Sequence, residues 1–570
     1  MRLARVAAAS AAALVALVGC QAGSTPQPVA DQAPEAKPLP SAPRMPPKKV
    51  DPRDPNIVLV LMDDFSLELL QTMRTAAEMR ERGASFPQSY VVDSLCCVSR
   101  ASIFTGQYPH QTGVLTNTAN TPNPIGPIGG WEAFEAYGNT ERSVNVRLQE
   151  AGYTTGFIGK YLNEYSYFPG GELPDPPPGW SEWGVIFGTA YNGWDFESTY
   201  VEDGLVQAQE HPAPPASAGD RRKDRAYAGT VTDRMALDFI REHRGERAPY
   251  FLEVATYGPH SRVGPYPHYR GDPGFPPAFG DRAGDGNCGT VPCASLGLDD
   301  LPGFGDPQDD NAPRRSDGTA APTWRTNTPS LTAERAVANL RSRAQMVQSI
   351  DRMLGRILAA VDDNTYVILT SDNGFHLGQH GLDAGKGTPF DSDAHVPLLV
   401  VGPGVAPGER AELTTNLDLA PTFEELAGLR PEGFRAGTSL LPSLEDPSSS
   451  TRDYVFFEHT YAPSLGADPD KAYAGGTMDL IPSYVAVRSR DALLVRLDLD
   501  PSWDGVDHAW EFYDYADLGW ERTNAYADPA QAGTVARMTR ALEAFDRCTT
   551  FVGDDPMPPR CRRVDRERRP

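Results

Sequence analysis

The feature that most constrains the fold is a continuous apolar run at residues 56–62, Asn-Ile-Val-Leu-Val-Leu-Met, followed directly by Asp63 and Asp64. An unbroken run, unlike an alternating one, is typical of a central parallel strand that is buried on both faces. A second β-rich run, residues 365–370, is followed in the same way by residues 371–374, Ser-Asp-Asn-Gly. Because sites in open α/β sheets form at the carboxyl ends of strands, these acidic residues are candidate functional groups.

Helical and strand patterns alternate through most of the chain, which predicts a large, mostly parallel sheet flanked by helices. Predicted helices span residues 66–82, 144–150, 224–243, 331–361 and 415–426, and further predicted strands span 154–163, 250–256 and 395–402. Beyond about residue 445 the strands are shorter and alternating, which indicates a small antiparallel sheet with a closing helix at 530–545. The predicted fold class is therefore α/β with a smaller C-terminal antiparallel sheet and helix.

The N-terminal residues carry the pattern of a lipoprotein signal peptide at residues 1–20. Arg2 and Arg5 precede an apolar run too short to span a bilayer comfortably, and the run ends in Leu-Val-Gly-Cys, which resembles a bacterial lipoprotein cleavage box. We expect lipidation of Cys20, which would anchor the exported protein at the outer face of the bacterial cytoplasmic membrane or cell envelope. An ordinary secretory signal is the alternative. Residues 21–53, rich in Pro, Ala, Gln and Lys, are expected to form a disordered tether.

The remaining chain divides into three predicted parts. We expect a catalytic domain at residues 54–444, a C-terminal subdomain at 445–547 and a tail at 548–570. Residues 262–328 are rich in Gly, Pro and Asp and show little periodicity. A structureless loop of that length is uncommon inside a compact domain, so we expect an ordered insertion near the site.

The balance of charge narrows the choice of partners. The chain of 570 residues has 76 acidic and 52 basic residues and a net charge of −24. An acidic surface disfavours nucleic acid and anionic membranes as partners. It would also weakly repel an anionic substrate, so an enzyme acting on one must concentrate positive charge inside its pocket. The sequence does not indicate an oligomeric state.

The cysteines fall into groups by their surroundings. Cys288 and Cys293 form one closely spaced pair in a polar loop, and Cys548 and Cys561 form another. Export makes disulfides plausible for both pairs. The spacings argue against a zinc site, because they do not give two adjacent two-cysteine knuckles. Cys97 belongs to neither pair and is expected to be buried.

The most distinctive motif is residues 94–106, Ser-Leu-Cys-Cys-Val-Ser-Arg-Ala-Ser-Ile-Phe-Thr-Gly. Ser94 is a candidate N-cap for a helix that begins near Cys96 or Cys97, and the first turn would point free N–H groups at the group that Cys96 carries. Composition alone favours a plainer interpretation, a buried cysteine pair on a core helix.

This motif resembles the signature of the sulfatase family, in the alkaline-phosphatase-like superfamily: Cys-x-Pro-Ser-Arg, an apolar run, then Thr-Gly. Cys96 matches the cysteine that is oxidised to formylglycine, the catalytic aldehyde, and Arg100 matches the motif arginine. Val98 stands where the family has proline. The resemblance recurs in separated stretches from Asn56 to about Asn524. It implies the sulfatase fold and a formylglycine-generating enzyme as a partner during maturation.

The resemblance also implies a metal site. Asp63, Asp64, Asp372 and Asn373 match the family's metal ligands, and the group derived from Cys96 joins them. Three carboxylates and an amide oxygen suit Ca²⁺, or less well Mg²⁺, rather than zinc. Taken singly, paired acids after a strand can instead be helix caps, and Asp-Asn-Gly can be a turn.

Cationic residues complete the implied pocket. The family's two lysines are matched by Lys160 and Lys386, and the histidine of its Pro-His segment is matched by His260. Taken alone, each of these is typical of an ordinary surface or loop residue. In the implied mechanism, hydrated formylglycine attacks sulfur, the two lysines and the metal hold the sulfate oxygens, and His260 protonates the departing alcohol.

Three further residues belong to the same stretches of sequence. Asn163 stands where the family often has a histidine. His376 and His380 are four residues apart, but Gly378 between them and the lack of a glutamate base argue against zinc, so they are expected to line the substrate pocket. Residues 159–163 and 371–380 look closest to the branch with N-acetylglucosamine-6-sulfatases and arylsulfatases.

The resemblance therefore implies a sulfuric ester hydrolase that releases sulfate from a sulfated sugar or an aryl sulfate. One alternative is a phosphonate or phosphodiester hydrolase of the same superfamily. Another, motivated by Val98, is an envelope protein that binds sulfated glycans without cleaving them because Cys96 is not converted.

Overall fold

The structure, a computed structural model, describes residues 35–40, 54–119, 126–264, 267–325, 331–466, 468–502, 505–516, 520–550 and 552–567. All of them belong to one compact unit, Pro34–Pro570. The expected signal peptide, with Cys20, and most of the expected tether lie outside the described residues. The described part of that tether, residues 35–40, includes a two-residue strand, which the tether interpretation did not anticipate.

The described strands are β1 (Lys37–Pro38), β2 (Asn56–Met62), β3 (Ala84–Ser85), β4 (Ser89–Tyr90), β5 (Thr154–Gly159), β6 (Glu182–Val185), β7 (Phe196–Glu202), β8 (Leu205–His211), β9 (Tyr250–Ala255), β10 (Thr365–Ser371), β11 (His376–Leu377), β12 (Ala384–Gly385), β13 (Leu398–Val401), β14 (Gly408–Glu409), β15 (Thr414–Thr415), β16 (Val455–His459), β17 (Ser483–Arg488), β18 (Ala492–Asp498) and β19 (His508–Asp514).

The described α-helices are α1 (Arg74–Arg82), α2 (Cys96–Thr105), α3 (Pro109–Thr112), α4 (Gly130–Ala136), α5 (Asn139–Arg142), α6 (Val144–Glu150), α7 (Asp220–Arg225), α8 (Ala228–His243), α9 (Phe279–Arg282), α10 (Ala333–Ala360), α11 (Asp391–Ala394), α12 (Leu419–Leu426), α13 (Leu441–Glu445), α14 (Gly475–Met478) and α15 (Ala532–Asp546). Short 3-10 helices lie at Leu67–Thr72, Gly188–Asn192, Cys293–Ser295, Leu298–Asp300, Asn416–Asp418 and Cys561–Arg563.

The main sheet has the order β14-β3-β13-β10-β2-β9-β5-β6 among the described strands. Strand β2 lies between β10 and β9 and is parallel to both, and every residue of β2 and β10 is buried. The expectation of a two-sided, buried parallel strand from the apolar run is confirmed. The predicted strand at 395–402 is shorter, Leu398–Val401, and it runs antiparallel to β10. The sheet is therefore mixed, with a parallel centre.

Several predicted helices are interrupted. The helix expected at 66–82 is a 3-10 helix followed by α1, because Met73 between them is extended, with φ −97° and ψ 114°. The helix expected at 224–243 is likewise two elements, α7 and α8, and the one expected at 415–426 begins as a 3-10 turn before α12. Helix α6 has the predicted bounds, and α10 lies within one or two residues of them.

The expected insertion at 262–328 is ordered where the structure describes it. Cys288 and Cys293 form a disulfide within it. The insertion packs on α10, where Arg352 pairs with Asp281 through two hydrogen bonds of 2.8 and 2.7 Å. Cys548 and Cys561 form a second disulfide near the C-terminus. Cys97 is a buried free thiol.

Strands β16 to β19 form a four-stranded antiparallel sheet, on which α15 packs, as the sequence predicts for the C-terminal region. The connection between β16 and β17, residues 460–482, leaves this sheet and reaches the carboxyl end of the main sheet. We call it the cap connection; the structure describes it except at residue 467. None of the described helices combines the length and hydrophobicity that a membrane span requires.

Candidate active site

The end of the main sheet carries a cluster of buried oxygen ligands. The parallel register pairs Met62 with Ser371, so the residues that follow β2 and β10 emerge side by side. We call these residues the strand-end cluster; all are fully buried, and they are Asp63, Asp64, Asp372 and Asn373. The backbone N–H of Asp64 donates to Asp372 Oδ1 at 3.2 Å, and Asn373 Nδ2 donates to Asp64 Oδ1 at 2.6 Å.

The backbone of Asp64 has a left-handed conformation, with φ at +58°. Non-glycine residues adopt this region at a cost, and such residues concentrate at functional sites. Aspartate tolerates it better than most residues because its short polar side chain can form local hydrogen bonds. The left-handed backbone of Asp64 places its carboxylate beside the other acids that follow β2 and β10.

Cys96 is the first residue of α2, whose ten residues are all buried. The expectation that Ser94 caps this helix is wrong, because Leu95 occupies the N-cap position without a side-chain hydrogen bond. The Ser94 hydroxyl instead donates to the backbone oxygen of Thr388 at 2.8 Å. That contact ties the start of α2 to the segment that carries Lys386.

Lys160 and Lys386 contact the strand-end acids from two directions. Lys160 directly follows β5, and its Nζ lies 2.8 and 2.7 Å from the two carboxylate oxygens of Asp63. Lys386 directly follows β12, and its Nζ lies 2.6 Å from Asp64 Oδ1 and 2.7 Å from Cys96 Sγ. Lys386 therefore joins the predicted nucleophile position to the strand-end cluster.

Arg100 and His260 complete the predicted set. Arg100 Nε donates to Asp372 Oδ2 at 2.8 Å, and its Nη1 donates to the backbone oxygen of Lys160 at 2.7 Å. His260 Nδ1 lies 2.7 Å from the backbone oxygen of Ser261, which leaves Nε2 facing the site. Nε2 is 3.6 Å from Asp64 Oδ2. The structure therefore brings every predicted catalytic and metal-binding residue into one buried cluster.

The charges in this cluster depend on one another, because a buried charge is tolerated only when it is paired. Burial raises the pKa of Asp63 to about 6, although the Lys160 charge opposes that rise. Burial works in the same direction at Asp372, but Arg100 outweighs it, together with the two lysines, and holds the pKa of that carboxyl below its usual range. Burial disfavours the charged ammonium groups of Lys160 and Lys386, yet the nearby acids raise the pKa of both.

Two further pKa shifts affect which reactions His260 and Cys96 can take part in. Burial alone would lower the pKa of His260, but nearby carboxylates, Asp64 first among them, raise it, so the protonated imidazole is favoured. Burial raises the pKa of the Cys96 thiol well above its usual value. Since the thiolate is the nucleophilic form of cysteine, unmodified Cys96 is a poor nucleophile here.

The strand-end cluster fits a hard divalent cation. Asp64 Oδ2 and Asn373 Oδ1 are buried acceptor oxygens without a hydrogen-bond donor. Ligand atoms of Asp63, Asp64, Cys96 and His260 also lie within 4.8 Å of one another. Carboxylate and amide oxygens are the donors that Ca²⁺ and Mg²⁺ prefer.

One buried acid at the site was missed by the sequence reasoning. Asp470, from the cap connection, has its Oδ2 3.0 Å from Lys386 Nζ and 2.9 Å from Asn117 Nδ2. Its Oδ1 lies 2.9 Å from His260 Nε2, an ion-pair distance without the alignment of a directed hydrogen bond. Asp470 sits in an Asp-Pro-Asp loop outside the expected catalytic domain, and no motif distinguishes it from other acidic loop residues.

Tyr191 was missed as well. Its ring lies 5.2 Å from Lys160 Nζ and 4.4 Å, between centroids, from the His260 ring. A ring in this position packs on the Lys160 ammonium and the His260 imidazole and reduces their contact with solvent.

Asn163, His376 and His380, the three remaining residues singled out in the sequence, are all buried. His376 Nδ1 is 2.9 Å from both carboxylate oxygens of Asp393, and its Nε2 has no hydrogen-bond partner. His380 packs against the Phe390 ring at 4.4 Å. Asn163 is buried and contacts Cys97 through its backbone. The expectation that His376 and His380 line the substrate pocket stays a prediction.

The fold and the buried acids and cations define a member of the sulfatase family. The family's sequence profile matches residues 55–429, about two thirds of the chain, and the chain belongs to this family. It is 32% identical to N-acetylglucosamine-6-sulfatase of Homo sapiens over 422 residues, which cover 71% of this chain and 67% of that protein. The family and the fold class predicted from the sequence are confirmed.

Other relatives are matched over less of their length. An extracellular sulfatase homologue of Drosophila melanogaster is 31% identical over 421 residues, which cover 70% of this chain but only 32% of that protein. A homologue of Caenorhabditis elegans is covered over 48% of its length. The chain thus spans about a third to a half of these two relatives.

Solved structures share the fold at low identity. A complex with the substrate D-glucosamine-2-N,6-O-disulfate aligns with a TM-score of 0.58 and 20% identity, covering 88% of this chain and 99% of that one. A phosphonate monoester hydrolase from Silicibacter pomeroyi aligns with a TM-score of 0.59 and 18% identity, covering 88% and 96%. These alignments show the common fold.

Proposed function

We propose that this chain is a sulfuric ester hydrolase that acts on a sulfated sugar or an aryl sulfate, with formylglycine made from Cys96 as its nucleophile. The observation that carries the proposal is the position of Cys96, at the start of α2 and 2.7 Å from Lys386 Nζ, beside the strand-end cluster. The family match and the names of its relatives support it. The high pKa of the Cys96 thiol also favours a modified residue over a thiolate.

The strand-end cluster would hold the divalent cation, for which we favour Ca²⁺ over Mg²⁺. When bound, such a cation stabilises negative charge on a sulfate oxygen and favours the ionised form of an attacking hydroxyl. The hydrate of formylglycine supplies that hydroxyl, together with a second one that allows sulfate to leave. Arg100 holds Asp372 in place through its 2.8 Å contact.

Lys160 and Lys386 would contact the sulfate group, because the Lys386 ammonium lies 2.7 Å from Cys96 Sγ and the Lys160 ammonium lies on Asp63 in the same cluster. Preformed cations stabilise the charge that develops on the sulfate oxygens without reorganising during the reaction. His260 is fixed by the bond from Nδ1 to the Ser261 oxygen, so Nε2 is the atom that would carry the proton to the departing alcohol. The raised pKa of His260 keeps that proton in place.

The direct test is sulfate release by calcium-loaded protein made with an active formylglycine-generating enzyme. Substrates are an aryl sulfate and N-acetylglucosamine-6-sulfate, and intact-peptide mass spectrometry first establishes the aldehyde at Cys96. Release is expected from the wild type, and none from Cys96→Ala. Absence of release from any aryl or sugar sulfate by protein that carries the aldehyde and calcium would reject the proposal.

For the substrate class we propose 6-sulfated N-acetylglucosamine. The support is a relative with that activity in its name, matched over two thirds of its length. A panel of N-acetylglucosamine and N-acetylgalactosamine sulfates should show the highest kcat/KM for the glucosamine 6-sulfate. A preference for another ester position would correct the class without affecting the proposed chemistry.

Phosphonate or phosphodiester hydrolysis is the second candidate activity, favoured by the structural alignment with a phosphonate monoester hydrolase. The same acids and cations can serve either reaction, so kcat/KM for matched aryl sulfate and aryl phosphonate esters separates them. If Cys96 stays a thiol, binding of sulfated glycans without turnover becomes the better account.

We also propose that the chain is exported and anchored through lipid on Cys20. The support is the Leu-Val-Gly-Cys box, and two disulfides suit an oxidising compartment. Cys20→Ala should move the protein from the membrane fraction to the soluble fraction. Unchanged fractionation would contradict the anchor. The domain boundaries at 444 and 547 likewise remain proposals, which limited proteolysis can test.

A further inference from the structure

The proposed site is closed in this structure. Cys96, His260 and Lys386 are each 0% exposed, and Lys160 is 2% exposed. A sulfate ester cannot approach Cys96 unless part of the protein moves. The cap connection lies over the site with one face buried, including Asp470 at 0% exposure, while residues 463, 466, 471, 472, 476 and 480 face solvent.

The Asp470 carboxylate occupies the donors that the substrate needs. The Lys386 ammonium has three hydrogens. Its three close partners are Asp64 Oδ1 at 2.6 Å, Cys96 Sγ at 2.7 Å and Asp470 Oδ2 at 3.0 Å. Asp64 and Cys96 accept hydrogen bonds from the ammonium, and Asp470 is paired with it by charge; because Lys386 is 0% exposed, a sulfate oxygen can bind it only by replacing one of these three groups. The first belongs to the strand-end cluster and the second is the proposed nucleophile position, so Asp470 is the partner that can be replaced.

The same carboxylate blocks the proton donor. Asp470 Oδ1 lies 2.9 Å from His260 Nε2, and His260 Nδ1 is already taken by the Ser261 oxygen. The leaving oxygen of a substrate must reach Nε2 to receive its proton. One carboxylate thus sits on both Lys386 and His260, with its two oxygens placed like two oxygens of a bound anion, and it is 3.9 Å from Cys96 Sγ.

The cap connection combines contacts of its own with packing on the rest of the chain, since Ala474 and Met478 belong to the main hydrophobic core and the Tyr473 ring lies near Phe275. The backbone oxygen of Asp470 accepts the N–H groups of Tyr473, Ala474 and Gly475 at 2.8–3.1 Å. Asp479 accepts from the Ser464 N–H and pairs with Lys471 Nζ at 2.9 Å. Withdrawal of Asp470 therefore has to loosen the turn that follows it, at residues 473–475, together with the packing of Ala474 on the core.

We infer that Asp470 is an internal anion that competes with the substrate for Lys386 and His260, and that the cap connection is a gate that withdraws Asp470 before a sulfate group can enter. This inference rests on the anion pocket of the proposed function but not on turnover. It assigns the connection a role in substrate entry, and Asp470 the role of a gating residue rather than a catalytic one.

Inorganic sulfate is the probe, and its binding to calcium-loaded full-length protein is measured by calorimetry. Asp470→Asn removes the competing charge while keeping the size of the side chain. We expect it to bind sulfate about tenfold or more tightly than the wild type, since apparent affinity falls in proportion to the open fraction. The matched control is Asp500→Asn, which makes the same charge change in the exposed loop after β18 and should behave as wild type.

Hydrogen exchange of the wild-type protein gives an independent test that needs no variant. A ligand that binds without displacing the cap connection slows exchange of nearby amides. Displacement of Asp470 predicts the opposite sign: sulfate should speed exchange at Tyr473, Ala474 and Gly475 and leave α15 unchanged. Slower exchange in this segment would overturn the inference, whether or not Asp470→Asn folds.

The outcomes separate the gate from the proposed function. Equal or weaker sulfate binding by Asp470→Asn, with binding still measurable in the wild type, leaves the anion pocket in place and overturns the gate. Sulfate binding by neither protein overturns both. Tighter binding by Asp470→Asn together with faster exchange supports the gate even if the protein turns over no ester.

Discussion

The site has two walls of different construction. The strand-end cluster is attached to β2 and β10, whose backbone ladder fixes its carboxylates, and Lys160 follows the neighbouring strand β5. Asp470 lies outside every described strand, on a connection that leaves the C-terminal sheet. The first wall can hold charges at fixed distances from one another, as a metal site and a developing anion require. The second is attached to the main sheet by side-chain packing and ion pairs, without a backbone ladder.

The two walls also differ in where their carboxylates find ion-pair partners. Each strand-end carboxylate has a fixed partner within the same wall or from the cations beside it, such as Lys160 on Asp63 and Arg100 on Asp372. Asp470 takes its partners, Lys386 and His260, from the opposite wall. The strand-end wall therefore keeps its pairs when the cap connection moves, whereas Asp470 loses both of its ion pairs.

The largest expected effect comes from breaking the fixed wall. Asp63→Ala or Asp372→Ala removes a cation ligand and leaves Lys160 or Arg100 buried without its partner, which costs about 3–5 kcal/mol. We expect sulfatase activity to fall below detection. The rise in Tm that calcium gives the wild type should disappear, because a ligand stabilises only the state that binds it.

The matched control for this prediction is Asp363→Ala, which removes an exposed acid at the opposite end of β10. It should keep both the activity and the calcium-dependent rise in Tm. Calorimetry and metal analysis provide the measurement. A ligand variant that retained normal calcium content and activity would show that the strand-end cluster is not the metal site.

The fixed wall is also the part that the sequence predicts well. A run of six apolar residues after Asn56 leaves few options other than a strand buried on both faces, and parallel neighbours put the acids that follow at one edge. The direction of β13 was not predictable in this way, because a short apolar run has the same sequence pattern in a parallel and in an antiparallel strand. Asp470 was not predictable either, since its role depends on where a long connection returns in space.

Ser94 shows a third kind of limit. A serine just before a helix is a good N-cap candidate, but its hydroxyl can satisfy only a few partners, and here it bonds to Thr388 on a distant segment. Local preference lost to a tertiary contact that holds α2 against the Lys386 segment. Sequence patterns therefore identify groups that the sheet positions, and they fail where side chains choose between local and distant partners.

His260 faces Asp470 from the opposite wall, and the effect of its substitution on kcat should depend on the leaving group. His260→Asn removes the proposed proton donor, a group that typically contributes 10²- to 10⁴-fold. We expect kcat for a sugar sulfate, whose alkoxide leaves poorly, to fall about 10²-fold or more. An aryl sulfate with a strongly acidic phenol needs little protonation, so its kcat should fall much less.

The measurement is the ratio of kcat for the two substrates in the wild type and in His260→Asn. Tyr191→Phe serves as the control, because it keeps the aromatic ring near His260 and removes only a hydroxyl; its ratio should match the wild type. Equal losses on both substrates in His260→Asn would mean that His260 positions other groups and does not donate the proton.

A smaller effect concerns the maturation of Cys96. Val98 is the third residue of α2, where a proline would lose no intrahelical hydrogen bond. Proline presets an extended conformation that a modifying enzyme can hold easily, whereas valine leaves φ freer. We expect partial conversion of the wild type by a formylglycine-generating enzyme, and a higher converted fraction in Val98→Pro.

Mass spectrometry of the tryptic peptide that ends at Arg100 gives the converted fraction. Val98→Ala is the control, since it changes the side chain without adding the ring and should not gain conversion. If wild-type Cys96 is found only as the thiol after coexpression with an active modifying enzyme, the catalytic proposal loses its nucleophile and glycan binding becomes the better account.

The smallest expected effect on activity tests why the strand-end charges are tolerated at all. Glu253 is a buried acid in β9, the neighbour of β2, but its Oε1 has no hydrogen-bond partner. Burial raises the pKa of Glu253 to about 8, with Arg100 opposing the rise. Below about pH 4.5, its ordinary value, the carboxyl is protonated in both folded and unfolded chains. As pH rises from there to about 8, only the unfolded chain ionises, so this group's contribution to stability is lost over that window.

Glu253→Gln should remove this dependence. The variant should gain stability relative to the wild type as pH rises from 5 to 8, by up to about 1.4 kcal/mol per pH unit at the limit, while its activity at a fixed pH stays close to wild type. Denaturant unfolding at several pH values measures the difference. A difference that stays constant with pH would mean that Glu253 is ionised in the folded protein. In that case, pairing with a cation would not explain how the strand-end carboxylates differ from Glu253. The contrast between the fixed and the movable wall would then rest on geometry alone.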